Sequence, residues 1–276
     1  MSRFEIARSA FAECFRNGRL WLVQFFANPI LFALFTAWLL IPVASNLHVV
    51  LNFFLVVMLL AATLTLHAGT LNCFSDSGLE SNGITPLWPS FPRAVRHLVP
   101  IAICLGVFCL LWLLTDNLEA LRAAFPAYVR STLPVFLRRH ITLPTLDTLF
   151  SCFLFFIRWT FFPGLVLPFL AQAAGLGFRG FGPQGFTAWK RAVSSLAYWL
   201  VLLLAAVLGV LLTQVLMSWK PDFRTSTFRS EVISLGARLF FAYLFGLFAW
   251  MLTCSLVGRY AADVRGSSDV PGSPAA

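Results

Sequence analysis

A chain of 276 residues with 59% apolar and only 11% charged side chains, 30 Phe and 9 Trp lies far from the roughly 25% charged residues of soluble globular domains. Its mean hydropathy of +0.83 excludes a water-solvated domain. The net charge of +9 does not point to nucleic acid, because Lys and Arg are scattered over connectors and ends and form no single basic, aromatic-interleaved patch; positive loops beside an anionic leaflet account for the excess.

Lipid offers the backbone no hydrogen-bond partners, so apolar runs of about 18 or more residues cross it as helices. The expected fold class is therefore all-α: a polytopic integral membrane protein of about six transmembrane helices plus two interfacial amphipathic helices. In Ser2 to Arg16, Phe4, Ala7, Phe11, Cys14 and Phe15 fall along one side at helical spacing, while Glu5, Arg8, Glu13 and Arg16 project elsewhere, the pattern of a helix lying in the interface. The first span follows at about Leu20 to Val43, too long and too far from the start for a cleavable signal peptide. Pro29 cannot donate to the carbonyl of Phe25 and predicts a kink or an elbow. Val43-Ala44-Ser45 reads as a turn, after which a second span, about Val49 to Leu66, returns as a helical hairpin.

From His67 to His97 the composition turns to Ser, Asn, Gly, Asp and Pro, with Pro86, Pro89 and Pro92 around Trp88, which predicts a structured loop on the membrane surface. The third span is about Leu98 to Thr115. Asp116 to Asp147 is a polar connector with short surface helices expected at Leu118 to Phe125 and Tyr128 to Arg139, separated by Pro126; it is too small to hold a core of its own. The fourth span, about Thr148 to Ala171, carries Arg158, Pro163-Gly164 and Pro168. A second interfacial helix is expected at about residues 183–197, with Phe186, Trp189, Val193 and Leu196 on one side and Lys190, Arg191 and Ser194 on others. The fifth and sixth spans are about Tyr198 to Met217 and Leu239 to Val257. Gly258 to Ala276 reads as a disordered tail of small residues, so residues 1–257 form a single membrane domain.

Trp21-Leu22-Val23 recurs as Trp199-Leu200-Val201, each after a basic amphipathic stretch. Duplication is common in transporter folds, but three apolar residues also recur by chance in so biased a chain. Arg3, Arg8, Arg16 and Arg19 precede the first span and no cation lies in the first hairpin turn, which places the N-terminus in the cytoplasm. Both ends then face the cytoplasm, and in a bacterium the cytoplasmic membrane follows, because outer-membrane proteins are barrels.

An ionisable residue inside a span is a functional suspect by default, and Arg158 is one, with every Asp and Glu outside the apolar runs. Two readings stand. In one, the membrane boundary falls near Trp159 and Arg158 snorkels to the headgroups. In the other it faces a cavity and contacts an anion or a lipid phosphate, helped by the carbonyls that Pro163 and Pro168 leave free on Trp159 and Gly164. The candidate cavity-lining polar residues are Asn28, Asn52, Gln172 and Gln214, with Gln24 and Thr213 nearby in the same spans; hydrogen bonding between helices is their competing role.

Catalytic and metal constellations are absent from the pattern. His48, His67, His97 and His140 sit at connectors with no ligand partner at helical spacing and read as solvated loop histidines. The six Cys include no Cys-x-x-Cys and read as buried small hydrophobes. Gly175-Leu176-Gly177-Phe178-Arg179-Gly180 matches G-x-G-x-x-G, but it follows a lipid-facing helix and not a strand, which makes it a flexible exit from the fourth span and not a nucleotide site. No cofactor is implied. The expected partners are membrane lipids, with a homo-oligomer or a membrane-protein partner as a further option. The functional expectation is a transport or lipid-handling membrane component; the alternatives are a non-catalytic scaffold of a membrane complex and, least supported, a membrane-embedded enzyme.

Overall fold

The computed structural model of the protein describes residues 3–41, 45–77, 87–122, 124–219 and 228–268, all in helices and their junctions. The expected turn at Val43-Ala44, the loop positions before Leu87 including Pro86, and the last eight positions of the expected tail lie outside the described residues. In chain order the helices are α1 (Arg3–Arg16), α2 (Gly18–Leu39), α3 (Asn46–Ser77), α4 (Leu87–Arg96), α5 (Leu98–Ala120), α6 (Phe125–Thr132), α7 (Val135–Arg138), α8 (Leu143–Phe156), α9 (Phe162–Leu176), α10 (Pro183–Val193), α11 (Leu196–Ala206), α12 (Leu212–Ser218) and α13 (Phe228–Ser268). A π-helical turn, Ile157–Phe161, joins α8 to α9, and a second, Val207–Leu211, joins α11 to α12.

Six of these helical stretches are long and apolar enough to cross a bilayer: α2, α3, α5, α8 through α9, α11 through α12, and α13. The protein is an all-α, multi-pass membrane protein. The crossings alternate in direction, so α1, α4, α10 and the last turns of α3, α9 and α13 share one end of the bundle, while α6 and α7 sit at the other.

Except for α2, which ends at Leu39 and not at Val43, the spans run further than their apolar stretches. At a rise of about 1.5 Å per residue, the 41 residues of α13 reach about 60 Å, twice a hydrocarbon core of about 30 Å. Its final turns are the most buried part of the molecule: Met251, Leu252, Leu256, Val257 and Tyr260 are all at or below 1% exposure. The tail expected from Gly258 is therefore helix through Ser268. Small residues there serve close packing: a Cβ on Gly258 would come within 2.7 Å of the Phe74 Cβ and 3.0 Å of the Ser75 amide. Likewise α3 takes in residues 67–77 of the expected surface loop, and α5 continues to Ala120. Pro126 opens α6 near its N-terminus, where its missing N–H costs nothing, and so does not separate two helices.

Two of the short helices at the shared end, α1 and α10, turn small residues toward the protein. α1 buries Ile6, Ala10 and Cys14 and exposes Phe4, Phe11 and Phe15. α10 buries Ala188 and Ala192 and exposes Phe186. An ion pair ties each to α13, Glu13 with Arg259 and Arg191 with Asp263, the latter at 2.7 Å. The junctions into the following spans are also alike. The Trp21 indole donates to the Cys14 carbonyl at 2.6 Å and the Trp199 indole to the Val193 carbonyl at 2.8 Å, so in each case a tryptophan at the start of a span caps the helix before it.

Candidate functional site

Proline leaves the carbonyl four residues earlier without its helical donor, and in lipid such a group must find another. Two tyrosines supply one. The Tyr243 hydroxyl of α13 donates to Phe25 O, released by Pro29, at 2.8 Å, and the Tyr198 hydroxyl of α11 donates to Gly164 O, released by Pro168, at 2.9 Å. The Gly164 carbonyl is thus engaged within the bundle. Where Pro163 interrupts the same helix, the chain inserts the π-helical turn Ile157–Phe161, which widens the helix by one residue.

Arg158 lies in that turn. The sequence placed no carboxylate near it, but the extra helical turn of α5 does: Asp116 and Glu119, three residues apart on one face, approach its Nη2 at 2.5 and 3.3 Å. Its Nε donates to Thr115 Oγ1 at 2.9 Å, and its guanidinium carbon stands 4.9 Å from the centre of the Trp112 ring. Asp116 closes the apolar run of α5, so the guanidinium reaches the level at which that run ends.

The amides separate. Asn28 donates to Gln24 Oε1 at 2.8 Å, and Gln24 donates to Thr70 Oγ1 of α3 at 2.5 Å. Gln172 is buried at the shared end, where its Nε2 reaches the Ala261 carbonyl at 3.4 Å and its Oε1 accepts from Arg265 at 3.3 Å. Asn52 is half-buried on α3 and Gln214 exposed on α12. The structure brings Asn28 to Gln24 and Gln172 to Arg265, but it does not gather the four predicted residues or join them to Arg158.

What it does gather is an apolar cavity of about 400 Å³, partly open, between α3, α5, α9, α11 and α13. Its walls include Leu64, Ile101, Phe108, Val166, Leu202 and Ala206. Both π-helical turns contribute, through Trp159 in one and Gly209 and Val210 in the other; such turns recur at functional sites because they re-aim side chains and open space beside the helix. Gly246 also lines it, and a Cβ there would meet no atom within 4 Å. Arg158 and the four predicted amides are not among the lining residues. Trp159, which lines the cavity, packs edge-on at 4.7 Å to Trp112, the ring over which Arg158 lies.

His67 and Trp250 line the cavity as well, their rings meeting edge to face at 4.9 Å. His67 is therefore no solvated loop histidine. Neither is His97, whose Nδ1 lies 2.9 Å from the Ala174 carbonyl at the end of α9. Sequence reasoning missed His67 because it is the first polar residue after an apolar run, and only the continuation of α3 to Ser77 carries it into the bundle. The glycine-rich segment is not a flexible exit. Gly177, at φ 64°, ends α9 in the left-handed region that glycine favours, and a Cβ on Gly180 would press within 2.5 Å of the Gln172 backbone.

At the shared end, burial raises the Glu13 carboxyl above its ordinary range despite the opposing pull of Arg259, and it pushes the Cys14 thiol up to about 12. Cys14 is thus a protonated small hydrophobe at neutral pH. Among the described residues no group of His, Cys, Asp and Glu could hold a metal ion. No protein-family model, no curated protein and no solved structure matches the chain.

Proposed function

We propose that the protein is a lipid-handling component of a cell membrane, one that admits an apolar chain into the cavity between its spans. The observation that carries this reading is the cavity itself: a 400 Å³ volume walled by five spans and shaped by two π-helical turns falls in the range of about 300–1,000 Å³ typical of small-molecule sites. The exposed Phe4, Phe11, Phe15 and Phe186 suit α1 and α10 to the headgroup layer, with their small-residue faces against the bundle. The basic residues before the first span put this end in the cytoplasm, and in a bacterium the membrane is the cytoplasmic one. Arg158, held by two carboxylates, braces α5 against the π-helical turn that precedes α9.

Native mass spectrometry of protein purified from membranes in mild detergent tests this. Retained lipid is expected in the wild type and in Arg158→Gln, and loss of it in Gly246→Val, which fills the cavity without a clash at Cβ. Equal retention by Gly246→Val sinks the reading.

A second reading, a scaffold within a membrane complex, is favoured by the periphery of the first hairpin. Only 11% of the most apolar window is buried in each of α2 and α3, against 56% in α13, leaving Phe26, Ile30, Phe53 and Phe54 outward. Mild crosslinking in native membranes that yields only monomer removes it.

A further inference from the structure

We infer that the cavity takes a single-chain lipid with an uncharged oxygen head, an alcohol or a carbonyl, and seats that head at His67 and Trp250. This rests on the lipid-handling reading and names its ligand class. The lining contains no Lys, Arg, Asp or Glu. A phosphate or carboxylate head drawn into it loses its hydration and meets no countercharge, the costliest form of polar burial. Arg158, over the Trp112 ring that packs on the wall residue Trp159, is not among the lining residues and is already held by Asp116 and Glu119. The volume, near the low end of the range for small-molecule sites, suits one chain better than two.

The polar atoms are few and localised. Nδ1 of His67 and Nε1 of Trp250 are buried and have no hydrogen-bond partner among the described residues. The Thr253 hydroxyl, also on the wall, is engaged by the Ala249 carbonyl at 2.8 Å. An indole N–H only donates, and a neutral imidazole offers one donor and one acceptor. Together they complement a hydroxyl or carbonyl oxygen at one end of an otherwise apolar chamber, and such a pair of unmet ring nitrogens is what an oxygen-headed ligand repays.

The test uses full-length protein in phosphatidylcholine vesicles and two photoactivatable probes, diazirine-tagged hexadecanol and diazirine-tagged hexadecanoic acid, at a pH where the acid is ionised. The alcohol is expected to label cavity residues about fivefold or more above the acid, the scale of one satisfied buried polar group. His67→Phe should abolish that preference while leaving alcohol labelling detectable, and His67→Gln, which keeps a donor and an acceptor, should retain it. Gly246→Val should suppress both probes, with exposed Gly106→Val, whose added Cβ meets no atom within 4 Å, as the neutral control. Equal labelling by the two probes, preference for the acid, or a preference that survives His67→Phe overturns the assignment of the head while leaving lipid handling standing. Cavity labelling by neither probe, or labelling indifferent to Gly246→Val, overturns both.

Discussion

Tyr243 and Tyr198 show how single hydroxyls let this chain keep proline inside lipid-spanning helices. Each donates to a carbonyl that a proline has released. Loss of the donor leaves a buried acceptor unmet, which costs about 1–3 kcal/mol in water-soluble proteins, while interhelical hydrogen bonds measured in a membrane average about 0.6 kcal/mol and reach about 1.7. The membrane figure governs, because a loosened helix finds substitute donors. Tyr243→Phe and Tyr198→Phe should each destabilise by about 1 kcal/mol in detergent unfolding, whereas Tyr128→Phe, at an exposed position, should change nothing measurable. The carbonyls that Pro29 and Pro168 free were legible in the sequence; the tyrosines that meet them were not, because the pairs lie 218 and 34 residues apart and no local pattern links them. Arg158 was conspicuous for the same kind of local reason, and its carboxylate partners were hidden by an α5 that outlasts its apolar run.

Glu13 belongs to this scale too. Burial holds its carboxyl above the ordinary value of 4.5 in the fold, so the folded state binds this proton more tightly than the unfolded state does. Its contribution to stability is complete below the ordinary value and is lost as pH rises through the raised one. Thermal unfolding followed across that window should show Tm falling with rising pH. Glu13→Gln should flatten the slope, and a slope unchanged by the substitution would remove Glu13 as its source.

At the scale of elements, the apolar runs located all six spans, because a lipid-length hydrophobic stretch has few other structural meanings. Five of the six extend beyond the expected ends, whereas the first stops short, its helix ending at Leu39 and not at Val43. Composition marks where lipid contact stops, and helices α3 and α13 continue beyond it because their polar and small residues are met by other helices: Asn72 donates to the Ala174 carbonyl at 3.0 Å, and Asp76 accepts from Arg93 at 2.9 Å. Small residues after Val257 resemble a linker in composition and a packing seam in three dimensions. The contact of Gly258 with Phe74 makes the difference measurable. Gly258→Val should cost about 2 kcal/mol or more by overpacking, against a near-neutral Gly106→Val, and comparable stabilities for the two would contradict the seam.

For the molecule as a whole, an even number of crossings puts α1 and the end of α13 on one face and α6 and α7 on the other. Single cysteines introduced at Arg8 and Arg130, in a background freed of native cysteines, should therefore react with an impermeant maleimide from opposite sides of sealed vesicles. Labelling of both from the same side is incompatible with the crossings described. The cavity is a property of this scale alone: five spans wall it, and neither helical periodicity nor any motif encodes which residues of different helices face one another. Only Pro163, just past one of its π-helical turns, was visible beforehand.

The bond between Tyr243 and the Phe25 carbonyl also has a temporal side. Ribosomes add about 5–20 residues per second, so the 218 residues separating donor from acceptor are synthesised over roughly 10–45 s. Throughout that interval the first hairpin lacks the hydroxyl that meets the Phe25 carbonyl in the finished fold. Biogenesis is thus completed from the C-terminal side, and a nascent chain halted before α13 would carry a mark of incompleteness that membrane quality control could read.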